Sequence, residues 1–128
     1  MKITSFNPLI VTKDAEALIT LFEELGFERK HKLVGTLQNG ANLTSVRMKD
    51  ANGFHVDIAE TSDNTKDISL IRMNVDNFDE AYEMLKAKGF HNARPDEDTF
   101  DTKSNRSAMM ISPTGFAFDL CQHIKDHD

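Results

Sequence analysis

The chain has 128 residues, 39% hydrophobic and 28% charged, a size and balance that suit one globular domain and exclude fibrous and intrinsically disordered classes. Its net charge of −6 and the scatter of its basic residues, apart from the short run Arg29-Lys30-His31-Lys32, exclude an ordinary nucleic-acid-binding surface, which needs clustered Lys and Arg. A lone cysteine, Cys121, excludes an internal disulfide, and no segment has the length of a membrane span or the form of a signal peptide, so a cytoplasmic protein without membrane partners is expected.

In chain order, residues 3–12 read as a strand rich in β-branched side chains. Residues 14–26 follow as a helix capped by Asp14, with Leu18, Leu21, Phe22 and Leu25 at helical spacing as its apolar stripe. Gly26 stops it, and Phe27 is placed to pack back on the last turn. Shorter strands come next, the clearest being a hairpin of residues 43–49 and 54–60 around the turn Asp50-Ala51-Asn52-Gly53. The polar stretch 61–67 reads as a linker.

The same order then recurs. Residues 68–75 form a strand, and residues 77–89 a helix with Asn77 as cap, Glu80 at the capping-box position and Ala81, Met84 and Leu85 expected to be buried. Gly89-Phe90 repeats the stop, and a second hairpin spans residues 107–111 and 116–122 around Ser112-Pro113-Thr114-Gly115. Between them, residues 91–106 are polar and acidic (Asp96, Glu97, Asp98, Asp101), carry a weakly written strand, and make the best candidate for a mobile loop. Met48, Met73, Met84, Met109 and Met110 read as core filler.

Superposing the halves pairs Gly26 with Gly89, Phe54 with Phe116, Asp57 with Asp119 and Ile58 with Leu120. On the segments FNPLIVTKDAEALITLFEELGF with DANGFHVDIAE, and SLIRMNVDNFDEAYEMLKAKGF with SPTGFAFDLCQ, the chain resembles the vicinal oxygen chelate superfamily. That superfamily includes glyoxalase I, extradiol dioxygenases and fosfomycin and bleomycin resistance proteins. The resemblance implies an α+β fold of two tandem βαβββ modules whose strands form a curved mixed-sheet cup. It divides a single domain, 1–128, into modules 1–60 and 68–123, with 61–67 as linker and 124–128 as tail.

In the metal-dependent members the resemblance puts one ligand early in each module's first strand and a carboxylate in each last strand. Those positions fall here on Asn7 and Leu70, and on Asp57 and Asp119. Leu70 offers no donor, so no metal or other cofactor is expected; a divalent ion held by His55, Asp57, Asp119 and His123 is the alternative.

Strand alternation turns Asn7, Leu9 and Val11, His55, Asp57 and Ala59, Leu70, Arg72 and Asn74, and Ala117, Asp119, Cys121 and His123 toward the cup. Arg72 would pair with an aspartate or hold a ligand carboxylate. His55 and Asp57, two apart on one strand, would act as a base and its orienting carboxylate, or simply line the rim. Cys121 is a small buried hydrophobe or a thiol within reach of the cup. The ligand-binding candidates are thus Asn7, His55, Asp57, Arg72, Asp119 and Cys121.

The resulting reading is a small-molecule-binding protein of the glyoxalase and bleomycin-resistance-like type, with degenerate metal positions, that sequesters or senses a ligand; antibiotic resistance is one such role. The alternative is a family enzyme, a lyase, isomerase or dioxygenase, using an atypical metal site or metal-free acid-base catalysis by His55 and Asp57. A purely dimeric scaffold is a third reading. The resemblance implies a homodimer.

Overall fold

The computed structural model describes residues 1–36, 42–61, 66–101 and 105–123. Most of the expected linker and the whole expected tail lie outside the described residues. The element order is β1 (Ile3–Thr12), α1 (Ala15–Glu24), β2 (Glu28–Thr36), β3 (Asn42–Lys49), β4 (His55–Glu60), β5 (Ile68–Val75), α2 (Phe78–Ala87), β6 (His91–Asn92), β7 (Phe100–Asp101), β8 (Asn105–Ile111) and β9 (Ala117–His123). This is the α+β class, with two tandem strand-helix-strands modules. In the second, the weakly written strand is realised as two short pieces, β6 and β7, that both pair with β8.

The chain divides into two compact units, one of residues 7–69 and one of residues 1–6 with 70–128. In the first, strand order is β2-β3-β4-β1, with β1 parallel to β4 and the other pairs antiparallel. In the second, β5 lies parallel to β9, and β9 is followed by β8 and then β6. The opening residues of the chain belong with this second unit: the Lys2 amide donates to Asp76 Oδ1, and the Met1 amine pairs with Glu80. Glu80 thus occupies its capping-box position but spends its carboxylate on Met1.

Each helix is held at both ends by local chemistry. The Asp14 side chain accepts from the Ala17 amide at 3.3 Å, and the Asn77 side chain from the Glu80 amide at 3.1 Å. At the C-termini, Phe27 N to Phe22 O and Gly26 N to Glu23 O reproduce the six-to-one and five-to-two bonds of a Schellman cap, and Phe90 N to Leu85 O and Gly89 N to Lys86 O repeat them. Gly26 and Gly89 have φ of 104° and 96°, the left-handed conformation this cap requires.

The buried faces of the helices coincide only in part with those the spacing suggested. On α1 the buried residues are Ala15 and Ile19, flanked by half-buried Leu18 and Phe22, whereas Leu21 and Leu25 are 46% and 64% exposed. On α2 the buried pair is Phe78 and Ala81, with Leu85 half-buried, and Met84 is 47% exposed rather than core. Apolar side chains on more than one stripe satisfy the helical period, and packing against the sheet selects among them. In the first unit Ala15 and Ile19 pack on Val46, Met48, Val56 and Ile58; in the second, Phe78 and Ala81 pack on Met73, Val75, Ala108, Met110 and Leu120. Each fully buried Val, Leu, Ile, Phe or Met side chain among these contributes about 1.5–3 kcal/mol.

The polar stretch after α2 is tied to itself. Asn92 Nδ2 donates to Asp98 O at 3.0 Å and to the Tyr82 hydroxyl at 3.3 Å, and Arg94 Nη1 donates to Thr99 O at 3.0 Å. Asp96 and Asp98 lie 3.6 and 3.9 Å from Arg94, so the acidic run carries its own counter-charge. Among the described residues, no helix is long and apolar enough to cross a membrane.

Candidate functional site

Because Val56 and Ile58 face α1, alternation turns His55, Asp57 and Ala59 to the opposite face of the first unit's sheet. Pairing register then assembles one row across that face: His31 opposite Arg47, Arg47 opposite Asp57, and Asp57 opposite Leu9. Asp57 is fully buried. Arg47 grips it side-on, Nε to Oδ1 and Nη2 to Oδ2, both at 2.9 Å. Asn7, 6% exposed, closes the arrangement: its Nδ2 donates to Asp57 Oδ2 at 3.0 Å and to Pro8 O at 3.0 Å, while its Oδ1 accepts from Arg47 Nη2 at 3.2 Å. A carboxylate removed from water needs such compensation, since its desolvation alone costs several kcal/mol.

The sequence reading placed Asn7 and Asp57 here but missed Arg47. Its signal was available in the turn. Asp50 N donates to Phe54 O and Gly53 N to Asp50 O, so the hairpin closes with 50 opposite 54, and counting back sets 47 opposite 57.

His55 is half-buried on the same face, with Lys49 as its cross-strand neighbour. Asp57 accepts hydrogen bonds from Arg47 and Asn7, and its negative charge favours the protonated form of His55. Burial lowers the His55 pKa below its usual value, and the positive charges of Arg47 and Lys49 lower it further.

The second unit carries an analogous pair built differently. Arg72, on β5, donates from Nε to Asp119 Oδ2 at 2.9 Å, and both side chains are 15% exposed. Parallel pairing sets them opposite one another. Leu70 is buried and apolar and offers no donor. Cys121 is buried, its Sγ 3.6 Å from the Asp119 carbonyl, opposite Asn74 on one side and Ser107 on the other. Asn74 donates to Ser5 Oγ at 2.7 Å, and its Oδ1 is sealed from solvent without a partner. His123 ends β9 in an exposed position opposite Asn105.

The residues present do not fit a divalent ion. Such an ion takes three or more protein donors with free lone pairs at about 2.0–2.2 Å. Here each carboxylate is engaged by a guanidinium and Leu70 contributes nothing. Among the described residues no three His, Cys, Asp or Glu side chains converge as a metal would need.

Comparison with known proteins agrees with the architecture. A search of curated proteins gives no significant match. Among solved structures, a selenomethionine-labelled methylmalonyl-CoA epimerase superposes with a TM-score of 0.66 at 16% identity, covering 93% of this chain and 94% of its own. A methylmalonyl-CoA epimerase variant from Streptomyces coelicolor in complex with 2-nitronate-propionyl-CoA gives 0.67 at 15% identity, over 97% and 100%. A superfamily member from Vibrio splendidus 12B01 gives 0.60 at 17% identity, over 96% and 100%. These likenesses are of fold. The family model of the Glyoxalase/Bleomycin resistance protein/Dioxygenase superfamily matches residues 3–120, and the chain belongs to that superfamily.

Proposed function

We propose that this protein is a cytoplasmic, homodimeric, single-domain binder of a small molecule that works without a metal, sequestering or sensing its ligand. The observation that carries this reading is the closed Asn7-Asp57-Arg47 arrangement, in which an internal cation already neutralises the carboxylate. Arg72 on Asp119 supports it in the second unit. Metal analysis of protein purified without chelator, followed by titration with Ni, Zn, Mn and Fe, tests the reading. The expected result is no stoichiometric binding. One equivalent of metal, lost in Asp57→Asn or Asp119→Asn, overturns it.

A second reading, an enzyme of the superfamily, draws support from the methylmalonyl-CoA epimerases among the similar structures and from His55, which burial holds neutral at pH 7. Its test is turnover of hemithioacetals of methylglyoxal and glutathione, of catechols, and of methylmalonyl-CoA in deuterated water. Exchange at the substrate carbon, abolished in His55→Gln, would establish it.

A further inference from the structure

A guanidinium has five N–H donors in one plane. In Arg47 three are spent on the buried side: Nε and one Nη2 hydrogen on Asp57, the other Nη2 hydrogen on Asn7. Among the described residues Nη1 donates to nothing, yet Arg47 is 27% exposed and Nη1 is not among the sealed, unpartnered atoms. The group is therefore held rigidly by its inner edge and presents the two diverging N–H donors of Nη1 on its outer side. A surface arginine loses rotamer freedom when it binds a ligand; this one has already lost it.

The surroundings of that edge are basic. Register puts His31 beside Arg47 on β2, Lys49 two residues along β3 on the same face, and His55 opposite Lys49 on β4. The acidic residues on these strands' shared face are already engaged, Asp57 with Arg47 and Glu28 with Lys30 at 3.1 Å. In a chain of net charge −6, Lys49 adds a formal positive charge beside the preorganised Nη1 donors, with the two imidazoles as further polar neighbours.

We propose that the outer edge of Arg47, flanked by Lys49 and His55, is the recognition point for a carboxylate-bearing small molecule. This deepens the binding-protein reading by assigning its ligand class, and rests on it. A charge-assisted hydrogen bond from a guanidinium N–H is roughly twice as strong as a neutral one, so a carboxylate is separated from its amide isostere at this edge.

The experiment titrates ¹⁵N-labelled protein with benzoate and with benzamide. Benzoate is expected to bind about tenfold more tightly, with shifts centred on residues 45–49 and 55–59. Lys49→Glu, at an exposed position, is expected to weaken benzoate about threefold to tenfold while leaving benzamide unchanged, and salt at about 0.3 M to act likewise. Arg47→Lys, checked for folding by circular dichroism, is expected to remove the preference for benzoate. Equal binding of the two compounds, or benzoate shifts confined to residues 70–74 and 117–121, overturns the assignment. A fragment library screened in parallel separates the two levels. Neutral or cationic fragments binding where benzoate does not refutes the ligand class and leaves the binding reading standing, and a library with no binder refutes both.

Discussion

Replacing Arg47 by Met is the sharpest test of what holds the first unit together. The substitution keeps the long apolar stem and removes the cation, leaving a fully buried Asp57 with Asn7 as its remaining partner in the trio. Breaking a buried pair on one side costs about 3–5 kcal/mol, because the surviving charge keeps its desolvation penalty and loses its compensation. Against a total stability of about 5–15 kcal/mol, that is a large fraction. For a chain of this length it corresponds to a fall in Tm of roughly 10–20 °C. The double variant Arg47→Met/Asp57→Leu removes the orphaned charge as well, and the same reasoning expects it to regain more than half of the loss. Differential scanning calorimetry on the wild type, both single variants and the double variant completes the cycle. A fall of less than about 3 °C for Arg47→Met, or a double variant no more stable than the single, would refute the claim that Asp57 is a buried charge neutralised by Arg47.

Three further outcomes are expected. The His55 pKa is depressed by burial, Arg47 and Lys49, so just below pH 6.5 the unfolded chain binds more protons than the folded one. Stability is therefore full above that pH and declines as pH falls through it, a slope that His55→Gln should flatten in Tm measured from pH 5 to 8; the imidazole resonances should titrate below pH 6.5. Gly26→Ala and Gly89→Ala both place a Cβ in a left-handed backbone at a cost of about 1–2 kcal/mol, but the Cβ at Gly89 meets Pro113 Cγ at 2.9 Å and that at Gly26 meets nothing, so chemical denaturation should rank Gly89→Ala as the more damaging. Phe78→Ala, at a position 2% exposed, should cost about 3–5 kcal/mol, whereas Met84→Ala should stay within about 0.5 kcal/mol.

The backbone was legible wherever local chemistry writes it. The strand read at residues 3–12 is β1, the caps at Asp14 and Asn77 hold their amides, and both Gly-Phe stops form. The buried faces of the helices were less legible. Between residues 15 and 25, Ala15, Ala17, Leu18, Ile19, Leu21, Phe22 and Leu25 leave several stripes that satisfy a 3.6-residue period, and only contact with Met48 and Ile58 selects Ile19 over Leu21. Arg72 was legible as a cation facing either an aspartate or a ligand carboxylate, and the structure makes Asp119 its partner. Arg47 was not, because aligning halves compares a residue with its counterpart, and the relevant partner of Asp57 is its cross-strand neighbour.

That difference explains why the two modules solve the same problem from opposite sides. In each, the last-strand aspartate has a parallel neighbour on the module's first strand and an antiparallel neighbour on the preceding strand. For Asp57 these are Leu9 and Arg47; for Asp119 they are Arg72 and Met109. Each row therefore contains one aspartate, one arginine and one apolar residue, with the arginine and the apolar residue exchanged between flanks. What the halves share is the neutralisation of a largely buried carboxylate rather than a position for arginine. The consequence for chemistry is asymmetric. The antiparallel flank lets Arg47 engage Asp57 with two nitrogens and Asn7 with a third bond, and leaves Nη1 outward. Arg72 reaches Asp119 through Nε on the parallel flank. In the first module the arginine reaches its aspartate from the antiparallel flank, and the Nη1 donors left there are the ones the proposed carboxylate site would use.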